Sequence, residues 1–284
     1  MKSKDLHNKI VDQLLNVYPR EEAESIGAIL LDGDCNVNQM DLLMDKDFDY
    51  NRHVEESISQ AIKRLLKKEP IQYVLGKAHF YGRDFSVNPS VLIPRRETEE
   101  LVHLVINDHP NFNGTILDIG TGSGCIPVTL KLELPNAQVE AIDISASALI
   151  IAKQNADTLE ADIKFHEWDI LSSDELPSNY DIIVSNPPYV MNREKAEMQS
   201  NVLEHEPDLA LFVEDDDPLI FYNTITQKAT KSLIKGGGLY FEINEQFGIE
   251  VANEMQSKGF VNVEVIKDMQ GRDRIVKGIF MSNI

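Results

Sequence analysis

Basic residues are scarce in this chain. Against 47 aspartates and glutamates stand 27 lysines and arginines in 284 residues, a formal net charge of −20 and an isoelectric point near 4.7. Such a chain repels a phosphate backbone, since nucleic-acid binders carry a basic face or stripe, and no direct nucleic-acid partner is expected. Cysteine is nearly absent: Cys35 and Cys125 stand far apart, which argues against a disulfide framework and for a reducing, cytoplasmic setting. The start, Met1-Lys2-Ser3-Lys4-Asp5, leads into a polar amphipathic stretch without the apolar core of a signal peptide. No apolar run approaches the roughly 20 residues of a membrane span, so no membrane association is expected. His7, His53, His79, His103, His109, His166 and His205 lack zinc-ligand spacing or a nearby cysteine pair, so no metal site is expected. The length suits a large domain with a smaller one, and a monomer is the expectation.

What is present falls into three parts. From Leu6 to about Lys68, apolar residues such as Leu6, Ile10, Leu14, Ile26, Leu30, Ile58, Ile62 and Leu65 recur at helical spacing between polar faces. The reading is a small all-helical domain over residues 1–75. Pro19-Arg20-Glu21-Glu22 reads as a helix start, and Asp32-Gly33-Asp34 as a stop and turn. Around Gly82-Arg83-Asp84, the residues Phe80, Tyr81, Phe85 and Val87 suggest a β-hairpin, taken as a linker over 76–91. Beyond it, from 92 to 284, strands and helices alternate. Candidate strands are Thr115–Ile119, Gln138–Asp143, Ile163–His166, Ile182–Ser185, Leu239–Ile243, Val261–Ile266 and Ile275–Phe280. This argues for an α/β fold with a mainly parallel sheet covered on both faces, the last two strands forming an antiparallel pair.

Chemistry-bearing residues sit at successive strand ends. The first strand breaks into Gly120-Thr121-Gly122-Ser123-Gly124, glycines that let backbone approach a ligand and expose helix N-terminal N–H groups. Cys125 stands where the strict dinucleotide fingerprint wants glycine or alanine, which weakens a nicotinamide reading. The second strand ends at Asp143, where an acid can accept from both ribose hydroxyls of an adenosine. The third ends at Trp168-Asp169-Ile170; Asp169 could receive an adenine amine with Ile170 packed on the base, or could equally be a solvated loop carboxylate or helix cap. The fourth runs into Asn186-Pro187-Pro188-Tyr189. Two prolines cannot continue a ladder, so the turn is rigid. An asparagine oxygen with turn carbonyls suits a planar NH2 group, and Tyr189 can pack on its face. Alone the tetrapeptide could be an ordinary proline turn; in a doubly wound sheet all four ends converge on one crevice, which suits group transfer to an amine or amide nitrogen.

At this point the chain resembles the class I S-adenosylmethionine-dependent methyltransferases, with their Rossmann-like seven-stranded sheet, and within them the peptide chain release factor glutamine methyltransferases (PrmC/HemK family). The resemblance rests on Glu69-Pro70-Ile71-Gln72-Tyr73-Val74-Leu75-Gly76, Phe80-Tyr81-Gly82, Leu92-Ile93-Pro94-Arg95-Arg96-Glu97-Thr98-Glu99, Asp118–Gly124, Asn186–Tyr189, Glu206-Pro207, Gly236–Glu242 and Gly271-Arg272-Asp273-Arg274. It implies S-adenosylmethionine as cofactor, with Gly120–Gly124 at its methionine part, Asp143 at its ribose and the residues around Asp169 at adenine. Asn186, Pro187, Pro188 and Tyr189 would hold the substrate, Asn186 also lying beside the cofactor. The implied substrate is the glutamine of the Gly-Gly-Gln motif in class I release factors, gripped partly by the helical domain. The expected mechanism has the Asn186 oxygen and the Pro187 carbonyl accepting the amide hydrogens while Tyr189 clamps the amide plane. A ribosomal-protein glutamine methyltransferase and an adenine- or guanine-amino methyltransferase are the rival readings. For Arg95 and Arg96 the local alternative is ion pairing with neighbouring acids, and for Glu97 and Thr98 helix capping.

Overall fold

Apolar residues at helical spacing fold the first part of the chain into five helices. The computed structural model describes residues 1–172, 174–177 and 179–281. Here α1 (Ser3–Leu14), α2 (Arg20–Cys35), α3 (Gln39–Leu43), α4 (Arg52–Leu65) and α5 (Ile71–Leu75) bury Leu6, Ile10, Leu14, Leu30, Ile58, Ile62 and Leu65 in one cluster. Asn51 caps α4 by accepting from the backbone N–H groups of His53 and Val54, which satisfies donors that a helix start leaves open. The stop expected at Asp32-Gly33-Asp34 is corrected: α2 runs through it and ends on Asn36, whose φ of 54° is left-handed. Gly33 makes room for the end of the Leu75 side chain, whose Cδ2 would lie 2.8 Å from a Cβ there. Met1–Lys77 together with Gln199–His205 forms one compact unit; Ala78–Met198 and the residues from Glu206 onward form the other.

In the larger unit the hairpin β1 (Lys77–Phe80) and β2 (Arg83–Ser86) is built into the core from Ala78 on. Phe80 and Phe85, both fully buried, meet edge to face at 6.0 Å and pack among Leu101, Val102 and Ile126. A linker would leave those rings in water, at a cost of about 2 kcal/mol each.

Next come α6 (Arg96–Asp108), β3 (Thr115–Ile119), α7 (Cys125–Glu133), β4 (Gln138–Asp143), α8 (Ala146–Thr158), β5 (Ile163–Glu167) and β6 (Tyr180–Ser185). A two-stranded parallel pair, β7 (Val190–Met191) and β8 (Phe212–Val213), flanks a short 3-10 helix and the helices α9 (Ser200–His205) and α10 (Asp208–Leu211). The chain closes with α11 (Ile220–Ser232), β9 (Leu233–Glu242), α12 (Gly248–Ser257), β10 (Phe260–Lys267) and β11 (Asp273–Phe280).

Seven strands make one sheet in the order β10-β11-β9-β6-β3-β4-β5. The pairs among β9, β6, β3, β4 and β5 are parallel, and β11 is antiparallel to both neighbours. Successive side chains point to opposite faces: Ile183 and Leu239 join α11 and α12 on one, while Ile182 and Val184 join α6 and α7 on the other. The sheet is thus covered on both sides, as its near-continuous apolar strands require. Strand β9 starts earlier than its apolar residues suggest, because Gly236-Gly237-Gly238 lies within it; the register against β6 jumps from Tyr180↔Leu233 to Ile182↔Gly238. Among the described residues no helix is long and apolar enough to cross a membrane.

Candidate functional site

Parallel strands ending side by side put their connecting loops around one crevice. Here the ends of β3, β4, β5 and β6 border a cleft of about 430 Å³. Gly120, Thr121, Gly122, Ser123, Asp143, Asp169, Ile170, Asn186, Pro187 and Pro188 all stand in its wall. Gly124 and Tyr189 do not.

The glycine loop shows why its residues are small. Gly120, Gly122 and Gly124 have φ of 77°, 54° and 79°, a region costly for any residue with a Cβ. A Cβ at Gly120 or Gly122 would meet only open space, whereas one at Gly124 would lie 3.1 Å from the Cβ of Ala152. Gly124 therefore serves the packing of α7 on α8 rather than the cleft. Behind the loop, buried Asn155 accepts from Ser86 N at 2.7 Å and donates to Ser86 O at 3.0 Å and Ser123 O at 2.9 Å.

Asp143 accepts from Gly122 N and Ser145 N, each at 2.8 Å. Burial pushes its carboxyl up, and backbone N–H groups of Ser145, Gly122 and Ile144 pull it back. Asp118, the last acid before the loop, is fully buried, and neither of its oxygens has a hydrogen-bond partner among the described residues. Burial raises its carboxyl to about 7. The Thr121 hydroxyl and the Trp168 indole N–H are also buried without partners among the described residues. Of these, Thr121 and Trp168 stand in the cleft wall, while the Thr121 hydroxyl pulls against the rise of the buried Asp118 carboxyl behind it. An unpaired buried indole N–H is costly, so Trp168 marks a place for a polar ligand atom. Asp169 accepts from Leu171 N at 2.8 Å, a local turn that occupies one oxygen, and Ile170 packs into the core with its edge on the cleft.

Asn186 follows β6, and its Nδ2 donates to Thr98 Oγ1 at 3.1 Å. Thr98 in turn donates to Glu242 Oε2 at 2.7 Å. The Tyr189 hydroxyl donates to Glu242 Oε1 at 3.3 Å, and its ring packs against the core. Tyr189 is expected to clamp the substrate face, and its ring does not line the cleft in this arrangement. A buried carboxylate at the end of β9 needs donors, and Tyr189 is turned inward to supply one. Nor does Thr98 cap α6; it reaches across to β9.

Burial raises the Glu242 carboxyl to about 7 against the opposing pull of the Thr98 hydroxyl, Arg274 and the Tyr189 hydroxyl. Arg95 pairs with Glu206 at 2.7 Å, and Glu206 also accepts from Ile93 N at 3.2 Å, which pins Pro94-Arg95 along the cleft wall. Cys125 also borders the cleft, yet burial pushes its thiol up to about 12, so it offers no thiolate nucleophile.

Sequence reasoning assigned no site role to Trp168, Thr98, Glu242, Glu206 or Asn155. A signal existed for Glu242, an acid ending an apolar strand next to the Asn-Pro-Pro-Tyr strand. Asn155 left none, being one polar residue within a helix.

The sheet order, with a glycine loop and Asn-Pro-Pro-Tyr at neighbouring strand ends, is that of a class I methyltransferase. The family described as Methyltransferase small domain matches residues 98–208, and a crystal structure of a methyltransferase from Pyrococcus furiosus superposes with a TM-score of 0.52 at 17% identity, over 79% of this chain and 99% of that one. The PrmC N-terminal domain family matches residues 5–76. Full-length likeness is closer still: the Release factor glutamine methyltransferase of Bacteroides thetaiotaomicron is 45% identical over 94% of this chain and 96% of its own length. That of Flavobacterium psychrophilum is 44% identical over 96% and 98%. The chain belongs to the release factor glutamine methyltransferase family.

Proposed function

We propose that this protein transfers a methyl group from S-adenosylmethionine to the side-chain amide nitrogen of the glutamine in the Gly-Gly-Gln motif of class I peptide chain release factors. The observation that carries the chemistry is Asn186: its NH2 is spent on Thr98, and among the described residues no donor reaches its oxygen, which remains for a substrate N–H. The choice of a release factor is supported by the family and by its relatives' names. The net charge of −20 opposes a nucleic-acid acceptor.

The residues present fit the cofactor. The Asp143 carboxylate in the cleft wall suits its ribose hydroxyls, the unpartnered Trp168 N–H suits a polar atom of the base side, and the open glycine positions leave room for close backbone approach. Gly120–Gly124 would hold its methionine part, Asp143 its ribose, and Asp169, Ile170 and Trp168 its adenine. When bound, S-adenosylmethionine supplies an electrophilic methyl on a sulfonium sulfur.

An amide nitrogen is a poor nucleophile because its lone pair is delocalised into the carbonyl. The Asn186 oxygen and the Pro187 carbonyl each accept one amide N–H and hold the lone pair toward the incoming methyl. As nitrogen turns tetrahedral it gains positive charge, so preorganised acceptors bind the transition state more tightly than the ground state. The surplus proton leaves after transfer, and no strong base is needed before it. Residues 1–75 would serve recognition of the release factor, where exposed Met40 and Leu43 of α3 and Met44 just after it offer apolar contact.

Labelled cofactor incubated with the enzyme and, separately, a class I release factor, a ribosomal protein and RNA tests this reading. Label on the Gly-Gly-Gln glutamine is the expected result; label on another acceptor but not on the release factor overturns it.

A further inference from the structure

Thr98 stands in the cleft wall, yet the reaction above uses it for nothing, and behind it lies Glu242 with 1% of its surface exposed. Their hydrogen bonds run one way. Tyr189 and Thr98 hydroxyls donate to the two oxygens of Glu242, and an ionised carboxylate can only accept. The single proton of Thr98 is thereby committed, and toward Asn186 the hydroxyl presents lone pairs alone. Only the NH2 end of the Asn186 amide can face it, at 3.1 Å.

We propose that Glu242 and Thr98 are positioning residues that fix the Asn186 amide with its oxygen toward the cleft, so that the acceptor site takes hydrogen-bond donors such as an amide NH2 and refuses an ester or carboxylate oxygen in the same place. The inference rests on the reading of Asn186 as the group that receives the substrate amide. Turning the Asn186 amide over would set oxygen against the Thr98 lone pairs and NH2 against the substrate NH2, replacing two attractive contacts with two repulsive ones. The three residues come from α6, from the turn after β6 and from the end of β9, and parallel pairing of β6 with β9 holds two of them side by side.

Protonating Glu242 turns one of its acceptor oxygens into a donor and removes the fixed direction. The groups acting on that titration are the hydroxyls of Thr98 and Tyr189, Arg274 on β11 and Glu97 on α6, with Tyr222 of α11 donating to the Glu242 backbone carbonyl.

Single-turnover methyl transfer to a purified class I release factor, paired with calorimetric cofactor affinity, tests the relay. Thr98→Val is expected to slow transfer roughly 10- to 100-fold, the scale of one buried hydrogen-bonding group left unpaired, with cofactor affinity within about threefold of wild type. Thr98→Ser keeps the hydroxyl and is expected to restore the rate. A wild-type rate in Thr98→Val, or a serine variant as slow as the valine one, overturns the relay. If the valine variant does not fold, Glu242→Gln decides by its pH profile at saturating cofactor in an Asp118→Asn background, where Asp118 no longer titrates: the parent rate rises with pH as Glu242 ionises, and the variant is expected to lose that rise. The same rise in both overturns the relay. Failure of the substrate reading looks different, because the wild-type enzyme then labels another acceptor, on which the same variants are compared.

Discussion

The two halves of the cleft are built from different materials. The cofactor half is mostly backbone: Gly120 and Gly122, both with positive φ, and an Asp143 carboxylate held by the N–H groups of Gly122 and Ser145. The acceptor half is a network of side chains, running from Asn186 through Thr98 to Glu242 and back to Tyr189. A backbone site tolerates many side chains as long as the glycines stay. A side-chain network depends on the members in its direct line, since each spends its donors and acceptors on the next.

The sharpest break in that comparison is Asn186→Ala. Removing the acceptor from the substrate half is expected to lower single-turnover transfer by about 1,000-fold, the upper range for a lost oxyanion-hole-type group, while calorimetry shows cofactor affinity nearly unchanged. Asp143→Ala should do the reverse. Losing charge-assisted hydrogen bonds weakens cofactor binding about 10- to 100-fold, with transfer at saturating cofactor largely kept; an unchanged dissociation constant would remove Asp143 from the cofactor half.

Asp118→Asn separates stability from binding. Because burial raises the folded carboxyl to about 7, well above its unfolded value near 3.9, the native state binds the proton more tightly than the unfolded state. Wild-type stability therefore falls as pH rises from about 4 to 7 and levels off above. The neutral variant escapes that loss, so its melting temperature is expected to exceed wild type by a few degrees at pH 8, with the gain shrinking toward pH 4. A gain independent of pH would contradict the shift. The smallest effect belongs to Tyr189→Phe: with the ring outside the cleft wall and one of two donors to Glu242 removed, the transfer rate should stay within about fivefold of wild type, one ordinary hydrogen bond's worth.

The same contrast explains what could be read from the chain. Strands β3 and β4 are bounded by the residues their apolar patterns indicate, and the glycine loop and Asp143 are consecutive or a short step apart, so one local pattern contains them. Thr98, Asn186 and Glu242 lie on three elements far apart in sequence, and no local pattern records that they touch. Tyr189 shows the same limit: its neighbours in sequence suggest the cleft, and its hydroxyl contact with Glu242 is recorded by no local pattern. Gly33 misled in the opposite sense. Between two aspartates it has the composition of a turn, and the side chain it makes room for, Leu75, belongs to another helix.

Asn155 joins two pieces of the larger unit that share no strand pairing. One amide holds both backbone groups of Ser86 in the hairpin and the carbonyl of Ser123 in the glycine loop. Both segments hang on one side chain, so their local openings are expected to be coupled through the position of Asn155. Cofactor binding at the loop is thus expected to slow hydrogen–deuterium exchange at Ser86 N, outside the cleft wall, and Asn155→Ala to uncouple that protection from the cofactor.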